Sequence, residues 1–197
     1  MTTGTEHHAD RYTVVASPVG DLVLTGTGDA LTGCYFTGTG HADPTVGLAR
    51  DDAAFTEAAT QLGEYFARER TEFDLALAPS GTEFQLRVWQ QLRVIPYGAT
   101  WSYADVARGI GATNGFRAVG LANGRNPISI IVPCHRVIGA DGSLTGYGGG
   151  LDRKRFLLDL EAGSLPFGRG ARVPGPWRHP GQVERIAVPL AFGQHLA

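Results

Sequence analysis

The sequence predicts an α+β chain, in which a three-stranded antiparallel sheet with one helix is followed by a helical domain containing a helix-turn-helix. Three observations carry this. Short β-type runs broken by Gly and Pro turns open the chain, apolar residues then recur at one-turn spacing from Phe55, and cap signatures open successive helices from Thr82 onward.

The strand runs are "YTVVAS", "DLVLTG" and "ALTGCYF", separated by "PVG" and "GTGD". Pro fixes φ and Gly supplies positive φ, so both separators read as tight turns and the three runs as a meander. Cys34 falls in the third run, where a small buried thiol serves packing. Next, "FTEAATQLGEYFARE" sets Phe55, Ala58, Ala59, Leu62, Tyr65 and Phe66 on one helical face despite Gly63. "EFDLALA" alternates Phe73, Leu75 and Leu77, as an edge strand or an extended connector would, and "PSGT" marks the join between the halves.

Thr82 with Gln85 forms a capping-box pattern, and Phe84, Val88, Leu92 and Ile95 follow at near one-turn spacing until "PYG". Ser102 with Asp105 repeats the pattern ahead of Tyr103, Val106, Ala107 and Ile110. After the turn "TNG", "FRAVGLANGRNP" gives a second short helix stopped by Gly124 and Pro127. Two short helices joined by a glycine-containing turn read as a helix-turn-helix, although spacing alone fits any small helical pair. "ISIIV", Ile128 to Val132, reads as a buried strand ending at Pro133, and "KRFLLDLE" as a final helix with Phe156, Leu157 and Leu160 facing the core. The domains are therefore expected at 1–80 and 81–163, with a Pro/Gly-rich extension at 164–197.

Composition narrows the function classes. With 43% hydrophobic and 18% charged residues the chain is of ordinary globular type, and no apolar stretch approaches the roughly 20 residues of a membrane span. The start "MTTGTEHHADRY" lacks the basic and apolar regions of a signal peptide, so a cytoplasmic protein with reduced thiols is expected. Two cysteines, with His7, His8 and His41 in polar sequence, offer no metal-ligand spacing, so no metal is expected. The net charge of −2 is uneven: residues 1–80 hold twelve acids against four Arg, whereas 81–163 hold six acids against nine Lys and Arg. That split permits a polyanion partner for the second half without requiring one.

Cys134 and His135 stand together in "IIVPCHRVIG". A thiol becomes a nucleophile when a nearby base or cation lowers its pKa, and the end of a strand is a frequent place for an active group. Local sequence fits a buried thiol beside a surface histidine equally well.

The wider pattern separates these readings. "PCHRV", preceded by "NGRNPISIIV" and followed by "TGYGGGLDRKRFLLDLE", together with "RAVG" at 117–120 and "SYADVA" from Ser102, resembles the O6-alkylguanine-DNA alkyltransferases, the methylated-DNA–protein-cysteine methyltransferases of direct DNA repair. The likeness spans roughly residues 12–163, with the motifs in the family's order. It implies a ribonuclease-H-like N-terminal sheet and a protein that flips O6-alkylguanine out of double-stranded DNA and takes the alkyl group onto Cys134. Transfer would occur once, because an S-alkylcysteine is a thioether with no carbonyl for water to attack. It further implies that His135 takes the thiol proton through a water, that Glu161 orients His135, and that Asn126 braces the turn before the active-site segment. Tyr103, Val137, Tyr147 and the backbone N–H of Gly148 would line the base pocket. Arg117 would fill the vacated stack, and Ala118, Gly120, Ala122, Asn123 and Arg125 would meet the minor groove, where small residues let a helix approach.

Serine stands in some relatives where this chain has Gly148, which is expected to loosen the loop, and the extension lies beyond the resemblance. The expected protein is a monomer without a cofactor, acting on O6-alkylguanine duplexes, with O4-alkylthymine as a second candidate substrate. Two other classes fit parts of the pattern: a helix-turn-helix sensor of alkylated DNA that never consumes Cys134, and a Cys-His acyl-transfer hydrolase without DNA dependence.

Overall fold

The computed structural model describes residues 9–39 and 42–164; His7, His8, His41 and the extension from 165 onward lie outside them. β1 (Arg11–Val15) pairs antiparallel with β2 (Leu22–Thr27), and β2 with β3 (Ala30–Phe36). The ladder shifts register between Thr25 and Gly26. This is the expected meander, but the sheet has a fourth strand. β4 (Ala49–Arg50) runs parallel to β1, giving a mixed sheet of order β3-β2-β1-β4. Two exposed residues carry no alternation for sequence to reveal; backbone bonds from Ala49 N to Asp10 O (3.1 Å) and from Asp51 N to Tyr12 O (2.9 Å) hold them.

A single 3-10 turn (Ala53–Phe55) leads into α1 (Thr56–Phe66), which lays Ala58, Leu62, Tyr65 and Phe66 on the core. Its Gln61 is also buried, and its amide both donates to Asp74 O (2.9 Å) and accepts from Asp74 N (2.9 Å). The segment after α1 is thereby pinned as an extended connector, with one parallel bridge between Leu31 and Leu77.

α2 (Glu83–Leu92) and α3 (Tyr103–Gly109) start with the capping boxes of Thr82–Gln85 and Ser102–Asp105, both complete. α2 buries Val88, Trp89 and Leu92. Gly111, at φ 72, turns the chain between α3 and α4 (Phe116–Gly124). Trp89 Nε1 donates to Ala122 O (2.9 Å) and fixes α4 to α2. A short parallel pair, β5 (Trp101–Ser102) with β6 (Val137–Ile138), joins the start of α3 to the chain beyond Cys134.

Ile128–Val132 is not a strand. It is a buried turn in which Val132 N donates to Ile128 O (3.0 Å) and Ile130 adopts φ 72. The β-branched apolar run predicts extended backbone, but Asn126 overrides it: Nδ2 donates to Val132 O (2.8 Å) and Ile128 O (3.3 Å), and Oδ1 accepts from Ile128 N (3.1 Å). A non-glycine residue at positive φ costs about 1–3 kcal/mol, and burial of Ile128, Ile130, Ile131 and Val132 offsets it. β3 supports the turn from below, with Cys34 N donating to Pro127 O (2.8 Å) and Ser129 N to Cys34 O (3.0 Å). α5 (Leu151–Glu161) closes the described chain, and a single core runs from Leu24 and Cys34 through Leu62 and Val88 to Leu157. No helix among the described residues is long and apolar enough to cross a membrane.

Candidate active site

Cys134 opens a 3-10 turn (Cys134–Arg136) directly after the strained segment, and only 3% of it is exposed. Asn126, which shapes that segment, also donates from Nδ2 to Cys134 Sγ at 3.0 Å. Asn123 donates to the carbonyl of Cys134 at 3.3 Å. Burial pushes the thiol pKa up, while the Asn126 bond and the nearby Lys154 cation pull it down. The Tyr147 hydroxyl acts on the sulfur in the same downward sense, although it is buried and short of hydrogen-bond geometry.

His135 is fully buried. Its Nε2 lies 2.8 Å from Glu161 Oε1, so Nε2–H donates to the carboxylate and Nδ1 keeps its lone pair. Nδ1 is buried without a hydrogen-bond partner among the described residues. Desolvation lowers the imidazole pKa more than Glu161 raises it, which keeps the ring neutral near neutral pH. Burial alone would raise the Glu161 carboxyl, but His135 and then Arg136 hold it down to about 2.

Glu161 gathers more than its expected partner. Arg136 donates Nε to Oε2 (2.9 Å) and a terminal nitrogen to Oε1 (3.0 Å), the Tyr65 hydroxyl donates to Oε1 (2.7 Å), and Gly98 N donates to Oε2 (3.0 Å). Arg136 also donates to Ile95 O (2.6 Å) and lies over the Tyr97 ring. Arg136 and Tyr65 were not foreseen as site residues. "PCHR" holds the signal for the first; Tyr65 reads only as one core position of a helical face.

Lys154 is a further residue the motifs did not single out. Fully buried, it donates Nζ to Val137 O (2.6 Å) and Thr145 O (2.9 Å). Burial lowers its pKa to about 8, against the opposing pull of Cys134. Val137, expected at the base pocket, is itself fully buried with its carbonyl so engaged. Tyr103 donates its hydroxyl to Thr145 O at 3.2 Å, so the foot of the "TGYGGG" loop is tied to both α3 and α5.

Within that loop the sterically demanding glycine is Gly149 rather than Gly148. A Cβ on Gly149 would fall 2.6 Å from the Phe36 ring and 2.8 Å from Tyr147, whereas one on Gly148 would meet only Gly124 O at 3.5 Å. A serine at 148 would therefore fit. Arg153 clamps the same loop to the sheet, donating to Gly149 O (3.1 Å), Val19 O (2.9 Å) and Thr37 O (3.0 Å) with its guanidinium 5.0 Å from the Phe36 ring centre.

On α4, Arg117 and Ala118 are exposed, a Cβ on Gly120 would lie 3.8 Å from the Tyr103 ring, and Arg125 is exposed at the helix end. Ala122 and Asn123 correct the expected groove face. Val119, Ala122 and Asn123 form the inward stripe of the helix, so Asn123 serves the Cys134 carbonyl and Ala122 the Trp89 indole. Leu121, 67% exposed, and Phe116, 48% exposed, share the outer face instead.

No group of three or more His, Cys, Asp or Glu side chains among the described residues is placed to hold a metal ion. Residues 11–79 match the family model for the ribonuclease-like domain of 6-O-methylguanine DNA methyltransferase, and residues 83–163 match its DNA binding domain. The methylated-DNA–protein-cysteine methyltransferase of Mycolicibacterium paratuberculosis is 54% identical over 155 residues, 79% of this chain and 94% of that protein. The crystal structure of Mycobacterium tuberculosis O6-methylguanine methyltransferase superposes with a TM-score of 0.75 at 52% identity, covering 79% of this chain and 94% of the other. The structure of Mycobacterium tuberculosis OGT in complex with DNA gives the same TM-score and identity over 79% and 95%. Two adjoining models, one on the sheet and one on the helices, and a half-identical relative spanned almost end to end make this chain a member of the 6-O-methylguanine DNA methyltransferase family.

Proposed function

We propose that this protein repairs alkylated double-stranded DNA by moving the alkyl group of O6-alkylguanine onto Sγ of its own Cys134, once per molecule. One observation carries the reading: Cys134 Sγ accepts a hydrogen bond from Asn126 beside a buried, neutral His135 whose Nε2–H is bound to Glu161. The thiol proton passes to His135 Nδ1 through a bridging water, and the sulfur attacks the alkyl carbon. The S–C bond forms as the C–O6 bond breaks, and that electron pair goes to the leaving guanine. Tyr103 donates to the base and offsets the charge growing on it. Arg136 and Lys154 keep the cationic surroundings in which a thiolate is tolerated.

The target carbon is stacked inside a duplex, so the nucleotide leaves the helix before transfer, at a cost of a few kcal/mol. Arg117, on the exposed face of α4, fills the gap, while Ala118, Gly120 and Arg125 border the minor groove. Tyr147, Val137 and the Gly148 N–H close on the base. In this reading the protein acts as a monomer, one chain on one damaged base. O4-alkylthymine is a second candidate for the same pocket.

Intact mass after mixing with an O6-methylguanine duplex tests this directly. Each molecule is expected to gain one methyl group in place of a proton and then stop; Cys134→Ser gains none and Cys34→Ser behaves as wild type. Repeated turnover under excess DNA, or methyl transfer by Cys134→Ser, overturns it. An O4-methylthymine duplex run in parallel decides the second substrate.

A further inference from the structure

We infer that Tyr65, a residue of α1 packed beneath the N-terminal sheet, is a positioning residue of the transfer reaction: its hydroxyl sets how strongly Glu161 pulls on His135. The inference rests on the proton relay proposed above. The observation behind it is a shared atom. Glu161 Oε1 lies 2.8 Å from His135 Nε2 and accepts the Tyr65 hydroxyl at 2.7 Å, with an Arg136 nitrogen at 3.0 Å.

A carboxylate offers about four lone-pair sites. Here five donors converge on the two oxygens, so each draws charge density away from the others. Tyr65 and Glu161 are 96 residues apart in the chain, and the phenol is fully buried. Leaving that hydroxyl without an acceptor would be costly, and a Phe would satisfy packing equally well against Phe66, Phe73 and Tyr97. Burial and the adjoining carboxylate raise the Tyr65 pKa far above its ordinary value, so it is a permanent donor across the working range. The other charged or titratable groups facing this cluster are Arg136, Tyr97 with Arg68 beyond it, Lys154 of α5, and Tyr147 of the loop with Cys134 beside it.

The chemical consequence has a definite sign. A hydrogen bond to the charged form of an acid stabilises that form and weakens it as an acceptor toward others. With the Tyr65 donor removed, Oε1 holds the His135 Nε2–H more tightly, the imidazolium is favoured, and His135 becomes more basic. Transfer requires neutral His135, so the acid-side fall in rate should move to higher pH.

The experiment measures the pH dependence of transfer from free O6-benzylguanine, which needs no base flipping, for wild type, His135→Ala, Tyr65→Phe and protein carrying 3-fluorotyrosine at 65. Wild type is expected to show an acid limb that His135→Ala lacks. Tyr65→Phe should move that limb up by about half a pH unit, and the more acidic fluorinated phenol, a stronger donor, should move it down. A purely structural role predicts a lower melting temperature with the limb unmoved, and that result overturns the inference while leaving the relay intact. If His135→Ala and wild type share one profile, the relay fails and this inference with it. Should Tyr65→Phe not fold, the fluorotyrosine protein decides alone: no downward shift, no role.

Discussion

Glu161 shows how much of one residue's work its sequence neighbourhood conceals. In "LLDLE" it is a glutamate at the end of a helix, a position usually left to solvent, and only the family pattern singled it out. In the fold it is the acceptor around which His135, Arg136, Tyr65 and Gly98 are arranged. Its pKa is lowered from 4.5 to about 2, and a depressed carboxyl adds stability that is complete above the unfolded pKa and drains away as pH falls through the folded one. Wild-type stability should therefore decline between about pH 4.5 and 2, while Glu161→Gln starts lower and stays flatter there, as urea unfolding at successive pH values would read. Near neutral pH the substitution is expected to cost about 3 kcal/mol, because it leaves the Arg136 cation buried without its partner. A variant as stable as wild type at neutral pH would mean that Arg136 finds another acceptor. Cys134 and His135 stood out in sequence because their side chains carry the chemistry. Lys154 and Arg136 did not, since a cation in "DRKRF" or after "CH" has the same letters whether it faces water or a carbonyl.

At the level of elements, capping chemistry was fully legible. Thr82–Gln85 and Ser102–Asp105 are local, and both boxes form as read. The Ile128–Val132 run misled for the opposite reason: its conformation is dictated by Asn126 and by β3, neither of which belongs to the run's own periodicity. α4 was found by its pattern, but its rotation was not, and the Trp89 and Cys134 carbonyl contacts turn Ala122 and Asn123 inward. Arg117 remains on the outer face, and there its proposed role can be isolated. Arg117→Ala should slow transfer from duplex DNA tenfold or more, taking about 1.4 kcal/mol per factor of ten, and leave transfer from free O6-benzylguanine unchanged. Arg117→Lys keeps the charge but loses the planar group that stacks on bases. Full rescue by lysine would make Arg117 a phosphate contact, and equal slowing of both substrates would make it part of the pocket.

For the molecule as a whole, the count of charges was readable and their distribution in space only partly so. The acidic residues 1–80 and the mildly basic 81–163 limit how many phosphates the described chain can neutralise. Duplex affinity should fall with salt at a log-log slope shallower than about −5. Filter-binding titrations at several salt concentrations check this; a steeper slope that disappears on removing residues 164–197 would transfer the contact to the four Arg of the extension. What no linear reading supplied is how the two halves meet. Arg153 bonds carbonyls of Val19, Thr37 and Gly149, and Tyr65 crosses to Glu161, so the sheet half braces both the loop over the thiol and the acid behind the histidine. The Val19, Thr37 and Glu161 contacts join residues more than ninety positions apart, beyond any period or local motif.

The Trp89 contact equips the protein with an optical gauge of its own. An indole that is 3% exposed and tethered through its N–H to the carbonyl of Ala122 sits in a dry, fixed setting, and its emission colour responds to any loosening of that tether. The chain holds three tryptophans, so replacing Trp101 and Trp177 by phenylalanine leaves a single lamp, carried by α2 and pressed against the back of α4. Rapid mixing with undamaged and alkylated duplexes would then time the movement of that helix separately from sulfur–carbon bond formation, with no dye attached to either molecule.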